Sequence, residues 1–86
     1  MFIHLGGDVT VNQKDIIGIF DLDTATVSKH TRNYLTAAEK AGDVINVTYE
    51  LPKSFVVCRD ESSKSGRKVY ISQLATSTLL KRTNSF

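Results

Sequence analysis

The amino-acid sequence predicts an α+β fold with a small, mostly antiparallel β-sheet, one long amphipathic helix and a short C-terminal helix. Short β-prone segments occupy the N-terminus, the middle of the chain has helical periodicity, and a pair of β-prone segments joined by a polar loop follows in the second half. Because the chain has only 86 residues, we expect a single domain over residues 1–86.

A hairpin is predicted at the N-terminus. Residues 2–5 and 9–12 have the composition of strands, and Gly6, Gly7 and Asp8 lie between them. Glycine accepts positive φ, and the aspartate can close an Asx-type hydrogen bond, so these three residues indicate a turn. They are too few for a phosphate-binding loop, and a strand rather than a helix follows.

Residues 14–21 are predicted to form the central strand around which the domain is organised. Apolar side chains fall on both faces of this strand, whereas a strand that is buried on one face alternates. We therefore expect either layers on both faces or contact with a neighbouring subunit. Gly18 permits a bulge or a close backbone approach. The apolar residues are Ile16, Ile17, Ile19 and Phe20.

One long amphipathic helix is predicted over residues 25–41. Asp23 or Thr24 is its expected N-cap, because either side chain can accept a hydrogen bond from the first N–H groups of the helix. Gly42 is the expected residue after its C-cap. One stripe of apolar and small residues recurs at helical spacing and is expected to pack on the sheet. It comprises Val27, Thr31, Tyr34, Leu35, Ala38 and Ala41.

The second half of the chain is predicted to contain three strands, a polar hairpin loop and a short helix. Pro52 is expected at the start of a strand or at a sheet edge, because proline has no N–H to donate. The hairpin tip is rich in cations, namely Arg59, Lys64, Arg67 and Lys68. The predicted strands cover residues 44–47, 54–59 and 68–72, the loop covers 60–66 and the helix covers 76–82.

Composition excludes several ways of stabilising so small a protein. The single cysteine, Cys58, rules out an intramolecular disulfide and a cysteine-rich zinc site. A short chain buries a modest fraction of its surface, so homo-oligomerisation is the expected supplement. No apolar run reaches the ~20 residues that cross a bilayer, and we expect no signal peptide and no membrane partner. A cytoplasmic location is the resulting expectation.

Basic residues are concentrated in the second half of the chain. Residues 1–50 contain four Lys/Arg and seven Asp/Glu, whereas residues 51–86 contain seven Lys/Arg and two Asp/Glu. This asymmetry indicates a basic surface for an anionic partner, although cations that only solvate exposed loops would produce the same pattern.

The sequence contains no recognisable catalytic, metal-binding or cofactor-binding constellation. Cys58 lies among valines, where a thiol is inert, and is expected to be a small buried residue. Asp21 and Asp23 form a pair of carboxylates, but no third metal ligand follows them and helix capping explains both. His4 is expected to be a hydrogen-bonded residue of an edge strand. We therefore predict no enzyme, no cofactor and no small-molecule substrate.

Four cations are the candidate nucleic-acid contacts. Lys14 and Lys53 each precede a predicted strand, and Lys81 and Arg82 end the last helix. One copy of this set would bind DNA weakly, because each phosphate contact contributes little and is sensitive to salt. Repeated around a symmetric homo-oligomer, the same residues would form a continuous basic track.

Five segments along nearly the whole chain carry a family resemblance. They are FIHLGGD at residues 2–8, KDIIGIFD at 14–21, PKSFVV at 52–57, YIS at 70–72 and STLLKR at 77–82. Together they resemble the RemA/RemB extracellular-matrix regulators, small cytoplasmic proteins of Gram-positive bacteria, and the RemB branch most closely. The resemblance is weakest across residues 24–48 and 60–67.

The resemblance implies a DNA-binding regulator that activates genes for biofilm matrix and assembles into closed rings. In the RemA branch, arginines implicated in DNA binding lie just before the apolar strand and in the turn before a later strand. Lys14 matches the first position in charge. Leu51 and Pro52 stand at the second position, where that branch is rich in arginine, and Lys53 is the nearest cation.

Two functions are consistent with these observations. The first is a non-enzymatic, oligomeric, DNA-binding transcriptional regulator that contacts phosphates and reads few bases. The second is an oligomeric protein-interaction adaptor that does not bind DNA, and the missing arginines near Leu51 favour it.

Overall fold

The computed structural model describes residues 1–25 and 28–83 of the chain. Within that part, a short 3₁₀ turn over Gln13–Asp15 separates the N-terminal hairpin from the third strand. The elements in chain order are β1 (Phe2–Gly6), β2 (Val9–Asn12), β3 (Ile16–Asp21), α1 (Leu22–Ala25), α2 (Lys29–Lys40), β4 (Val44–Asn46), β5 (Ser54–Arg59), β6 (Arg67–Ser72) and α3 (Thr76–Thr83).

The strands form two sheets. The N-terminal hairpin pairs β1 with β2 in a sheet of its own, and the other four strands follow one another in the order β3-β5-β6-β4. β5 is antiparallel to β3 and to β6, whereas β4 is parallel to β6. The predicted α+β class and the mostly antiparallel pairing are confirmed. The strands and the helix predicted in the second half agree with β4, β5, β6 and α3 to within one residue at each end.

The prediction that residues 14–21 form the central strand is wrong. β3 lies at one edge of the four-stranded sheet, and β5 and β6 are the central strands. Ile16 and Ile19 pack against the buried core, whereas Ile17 and Phe20 are exposed. Apolar residues on both faces do not identify a central strand, because an edge strand can also carry them when one face is left uncovered.

Positive φ angles and one close approach explain why the first turn contains glycines. Gly6 and Gly7 have φ angles of 117° and 54°, in a region that residues other than glycine rarely adopt. A Cβ on Gly7 would also lie 2.7 Å from the carbonyl oxygen of Val47. The predicted turn is therefore confirmed, and it packs closely on the chain that follows β4.

The long helix starts later than the sequence predicts. α2 begins at Lys29 with Ser28 at its N-cap, and the expected caps Asp23 and Thr24 lie inside the separate turn α1. Val27, which was predicted on the apolar stripe, lies outside the described residues. None of the helices in the described part of the chain is long and apolar enough to span a membrane.

The end of α2 follows the prediction. Gly42 has a φ of 78°, and its N–H donates to the Glu39 carbonyl oxygen at 3.1 Å. The next N–H, that of Asp43, donates to the Ala38 carbonyl oxygen at 2.9 Å. This pair of hydrogen bonds is a Schellman motif, which satisfies the last carbonyl groups of the helix and reverses the chain into β4.

Two apolar clusters cover the two faces of the four-stranded sheet. On one face, Val56 and Cys58 of β5 pack with the β1–β2 hairpin and with Leu79 of α3. On the other face, Phe55 and Val57 of β5 and Val69 of β6 pack against α2. The helix contributes part of the predicted apolar stripe to this second cluster, namely Tyr34, Leu35 and Ala38.

Candidate nucleic-acid interface

Lys14 lies at the corner where the N-terminal hairpin turns into β3. The Asn12 side chain caps the 3₁₀ turn there, accepting a hydrogen bond from the Lys14 N–H at 3.2 Å. The cap holds the backbone of the turn in place while the Lys14 side chain is exposed. A cation at this position can reach a partner without losing contacts inside the protein.

Arg59 shares this corner with Lys14. Because Ile16 is paired with Cys58, the last residue of β5 lies beside the turn that precedes β3. The Arg59 Nη2 donates to the Lys14 carbonyl oxygen at 3.5 Å, at an exposed position. Sequence reasoning placed Arg59 only in the hairpin tip. The signal that finds it is the antiparallel register of β3 and β5, which the sequence does not reveal.

The C-terminal end of α3 is held against the same corner. α3 packs on β1 and β3, and the Gln13 Nε2 donates to the Thr83 carbonyl oxygen at 3.2 Å. The Arg82 Nη1 donates to the His4 carbonyl oxygen at 2.6 Å, so the helix end is tied to the hairpin. We call this region the basic corner and define it by its exposed cations Lys14, Arg59, Lys81 and Arg82.

Lys53 lies at the opposite end of the sheet. Its carbonyl oxygen accepts from the Leu22 N–H at 3.0 Å, and its own N–H donates to the Ser72 carbonyl oxygen at 2.9 Å. Since β3 and β5 run antiparallel over six residues, Lys53 is separated from Lys14 by about 20 Å of strand. The structure thus gathers the predicted Lys14, Lys81 and Arg82 at one end and separates Lys53 from them.

The tip of the β5–β6 hairpin is less basic than its sequence suggests, because carboxylates are folded into it. The hydroxyls of Ser65 and Ser63 each donate to Asp43 at 2.7 Å and hold the pKa of that carboxyl below its usual value. Ser62 lowers the pKa of Asp60 in the same way, through its side chain and its N–H. These negative charges offset the lysines and arginines of the tip.

Cys58 and His4 have the structural roles that the sequence predicts. Cys58 is buried among apolar side chains, and this burial, with the nearby charges of Asp15 and Asp60, raises the pKa of its thiol to about 11. The thiol is therefore protonated at neutral pH and a poor nucleophile. The His4 Nε2 is hydrogen-bonded to the Gly7 carbonyl oxygen at 2.7 Å.

Of the two aspartates that were predicted to cap a helix, Asp21 precedes α1 and caps it, whereas Asp23 lies inside α1. The Asp21 Oδ1 accepts a hydrogen bond from the Asp23 N–H at 2.8 Å, at the start of α1. In the part of the chain that the structure describes, no three His, Cys, Asp or Glu side chains are grouped closely enough to hold a metal ion. The ammonium and guanidinium groups of the basic corner can bind anions.

Comparison with known proteins agrees with the resemblance of the five segments. The family model described as "RemA-like: Extracellular matrix regulatory protein A-like" matches residues 2–83. The chain is also 39% identical over 83 residues to extracellular matrix regulatory protein B of Bacillus subtilis (strain 168), and this match covers 95% of the chain and 89% of the relative. The protein therefore belongs to the RemA-like family of extracellular matrix regulatory proteins.

Proposed function

We propose that the protein is a non-enzymatic, cytoplasmic, DNA-binding regulator of extracellular-matrix genes that contacts phosphates through its basic corner. The observation that carries the proposal is the position of Lys14 beside Arg59 and the end of α3, three parts of the chain that are distant in sequence. Cations that are grouped on one part of the surface attract a polyanion. The similarity to extracellular matrix regulatory protein B of B. subtilis supports the regulatory role.

Contact with phosphates, and not with base edges, fits the helices that the structure describes. α2 turns its apolar face to the sheet, and the opposite face carries charges of both signs, including Arg32 and Glu39. An outer face that mixes acidic and basic side chains is not typical of the recognition helix of a helix-turn-helix protein. Binding through phosphates gives affinity with little sequence preference.

The proposal includes a symmetric oligomer, which the resemblance to the family implies to be a closed ring. A single basic corner offers few phosphate contacts, and several copies on one DNA molecule would add their contributions. Large apolar side chains on the surface support self-association, because exposed apolar groups at interfaces gain free energy when they are covered. They include Ile17, Phe20, Tyr49 and Leu51.

A second candidate function is an oligomeric protein-interaction adaptor that does not bind DNA. The observation that favours it is the exposure of Tyr49 and Leu51. Leu51, together with Pro52, stands where the RemA branch is rich in arginine. Aromatic and aliphatic side chains are typical of protein interfaces, whereas phosphate contacts need cations. This candidate predicts that DNA binding is undetectable even at low salt.

Fluorescence anisotropy with a labelled duplex tests the basic corner directly. We expect Lys14→Ala and Arg59→Ala each to weaken binding several-fold and to lower the salt slope by about 1, equally for AT-rich and random DNA. Lys29→Ala is the matched control, because it removes one exposed cation from the first turn of α2. Loss of binding by the control alone, or on one sequence alone, would contradict the proposal.

A further inference from the structure

An apolar groove opens beside the edge strand β3, between the sheet and α2. Its volume is about 310 Å³, and its lining includes the rings of Phe20, Tyr34 and Phe55 and the side chain of Ile17. Ile17 is 57% exposed and Phe20 is 43% exposed. Covering these side chains would remove apolar surface from water, which is favourable.

A second apolar feature projects from the segment between β4 and β5. Tyr49 and Leu51 are more exposed than any other large apolar side chains in the described part of the chain, at 108% and 83%. The Glu50 N–H donates to the Thr48 Oγ1 at 3.2 Å, and Pro52 restricts the residue before it to extended conformations. We call residues 49–51 the knob.

The knob and the groove belong to different sides of the molecule. The knob follows β4 at one edge of the four-stranded sheet, whereas the groove opens beside β3 at the other edge. Neither Tyr49 nor Leu51 lines the groove of its own chain. Two complementary surfaces at separate places on one chain produce a head-to-tail contact between copies, which closes into a ring when the rotation allows it.

We propose that the knob of one protomer docks into the groove of the next. A second copy of the chain is the occupant that fits, because the charges beside the two surfaces are also complementary. Glu50 lies between the two apolar residues of the knob, and Arg67 lines the groove. Opposite charges at the rim of an apolar contact fix its orientation and disfavour other pairings.

This contact rests on the proposed function, because it is the interface between protomers of the proposed oligomer. It deepens that proposal by naming the two surfaces that meet. It also gives the exposed Tyr49 and Leu51 a role that does not require them to contact DNA. The basic corner contains no residue of the knob or of the groove, so both can be occupied at once.

A mixing experiment tests the contact. The knob variant carries Tyr49→Ser and Leu51→Ser, and the groove variant carries Ile17→Ser and Phe20→Ser. Each variant alone is expected to be monomeric in size-exclusion chromatography with light scattering. An equimolar mixture is expected to form heterodimers with twice the mass of one chain, because an intact knob and an intact groove remain, one on each partner. Variants that keep the mass of the wild type, or a mixture that stays monomeric, would overturn the proposal.

A charge exchange tests the same contact with less disturbance of the apolar surface. Glu50→Arg and Arg67→Glu are each expected to lower the fraction of assembled protein at least several-fold, and their combination is expected to restore it. Circular dichroism confirms that each variant is folded. Failure of the combination to recover assembly counts against the pairing of these two residues across the contact.

The mass measurements contain no DNA and therefore separate this proposal from the proposed function. If the variants dissociate the oligomer as expected but the wild type does not bind DNA, the contact is supported and the proposed DNA binding is refuted. If the wild type binds DNA as an oligomer and the variants form an oligomer of the same mass, the contact is refuted and DNA binding is supported. A wild type that is monomeric at all concentrations would overturn the contact together with the proposed oligomer.

Discussion

Gly18 and Phe20 approach each other so closely in β3 that a Cβ on Gly18 would lie 2.7 Å from the Phe20 Cε2. The register between β3 and β5 shifts between Ile16 and Gly18, which agrees with the bulge or close approach that a glycine permits there. The missing side chain leaves room for the Phe20 ring to stack on Phe55, with centroids 5.0 Å apart and planes 18° apart. Gly18 thus determines the shape of the groove beside β3.

We expect Gly18→Ala to push the Phe20 ring away from Phe55. The lost stacking should lower the free energy of unfolding by about 0.5–1.5 kcal/mol, measured by urea denaturation. The control is a double-mutant cycle: in a Phe20→Ala background the same alanine should cost nothing, because its Cβ meets no ring. An equal cost in both backgrounds would show that the strain lies in the backbone.

Leu79 and Leu80 are neighbours in α3 with opposite environments. Leu79 is completely buried among the N-terminal hairpin and β5, whereas Leu80 is 46% exposed. Leu79→Ala should lower the free energy of unfolding by about 2–5 kcal/mol, because it leaves a cavity. Leu80→Ala should lower it by less than about 1 kcal/mol. Equal effects in thermal or urea denaturation would contradict the packing of α3.

Asp43 should make stability depend on pH in the acid range. Its pKa is lowered below 3.8 in the folded protein, first by the Ser65 hydrogen bond and then by that of Ser63. A carboxyl whose pKa is lower in the folded protein than in the unfolded chain stabilises the fold at pH values above the unfolded pKa. This stabilisation disappears as the pH falls through the pKa of the folded protein.

We therefore expect Asp43→Asn to melt at a lower temperature than the wild type at pH 7. The difference between the two should shrink as the pH falls from 3.8 through the lower pKa of the folded protein, because the wild-type carboxyl becomes protonated over that range. The variant with both Ser63→Ala and Ser65→Ala should lose the same pH dependence, since it removes the two donors. If the melting temperatures of all three proteins changed with pH in the same way across the acid range, that result would be inconsistent with this hydrogen-bonded cluster.

Cys58 should react slowly with thiol reagents while the protein is folded. Burial raises its pKa from 9.0 to about 11, which reduces the thiolate fraction at pH 8 roughly 100-fold before restricted access is considered. We expect labelling of native protein by a disulfide reagent to be at least about 100-fold slower than labelling in concentrated urea. Comparable rates would indicate that β5 is accessible in the native state.

Local patterns in the sequence predict most elements of this fold but not how they are arranged. Strand and helix boundaries in the second half agree closely, because turn residues and periodicity act over a few neighbours. The edge position of β3 and the separate sheet of the N-terminal hairpin depend on long-range pairing. The break before Lys29 was missed because the apolar stripe continues through it at the same helical spacing.

In the candidate site, too, the sequence predicts local features but not the positions that depend on strand pairing. Lys14 is recognisable in the sequence as a cation before an apolar strand, and its exposure agrees with that role. The sequence did not single out Arg59, and it grouped Lys53 with Lys14. Both errors arise because the sequence does not show which end of β5 lies beside the start of β3. The antiparallel register of β3 and β5 brings Arg59 to Lys14 and carries Lys53 to the other end of the sheet.

The salt dependence of DNA binding shows whether the protein contacts phosphates through its basic corner. The affinity of the wild-type oligomer for two unrelated duplexes would be measured by anisotropy at several salt concentrations. We expect log K to fall linearly with log salt, with a slope near −0.9 for each phosphate contacted, and we expect nearly equal affinities for the two sequences. No binding at low salt, or strong binding to one sequence that does not depend on salt, would contradict it.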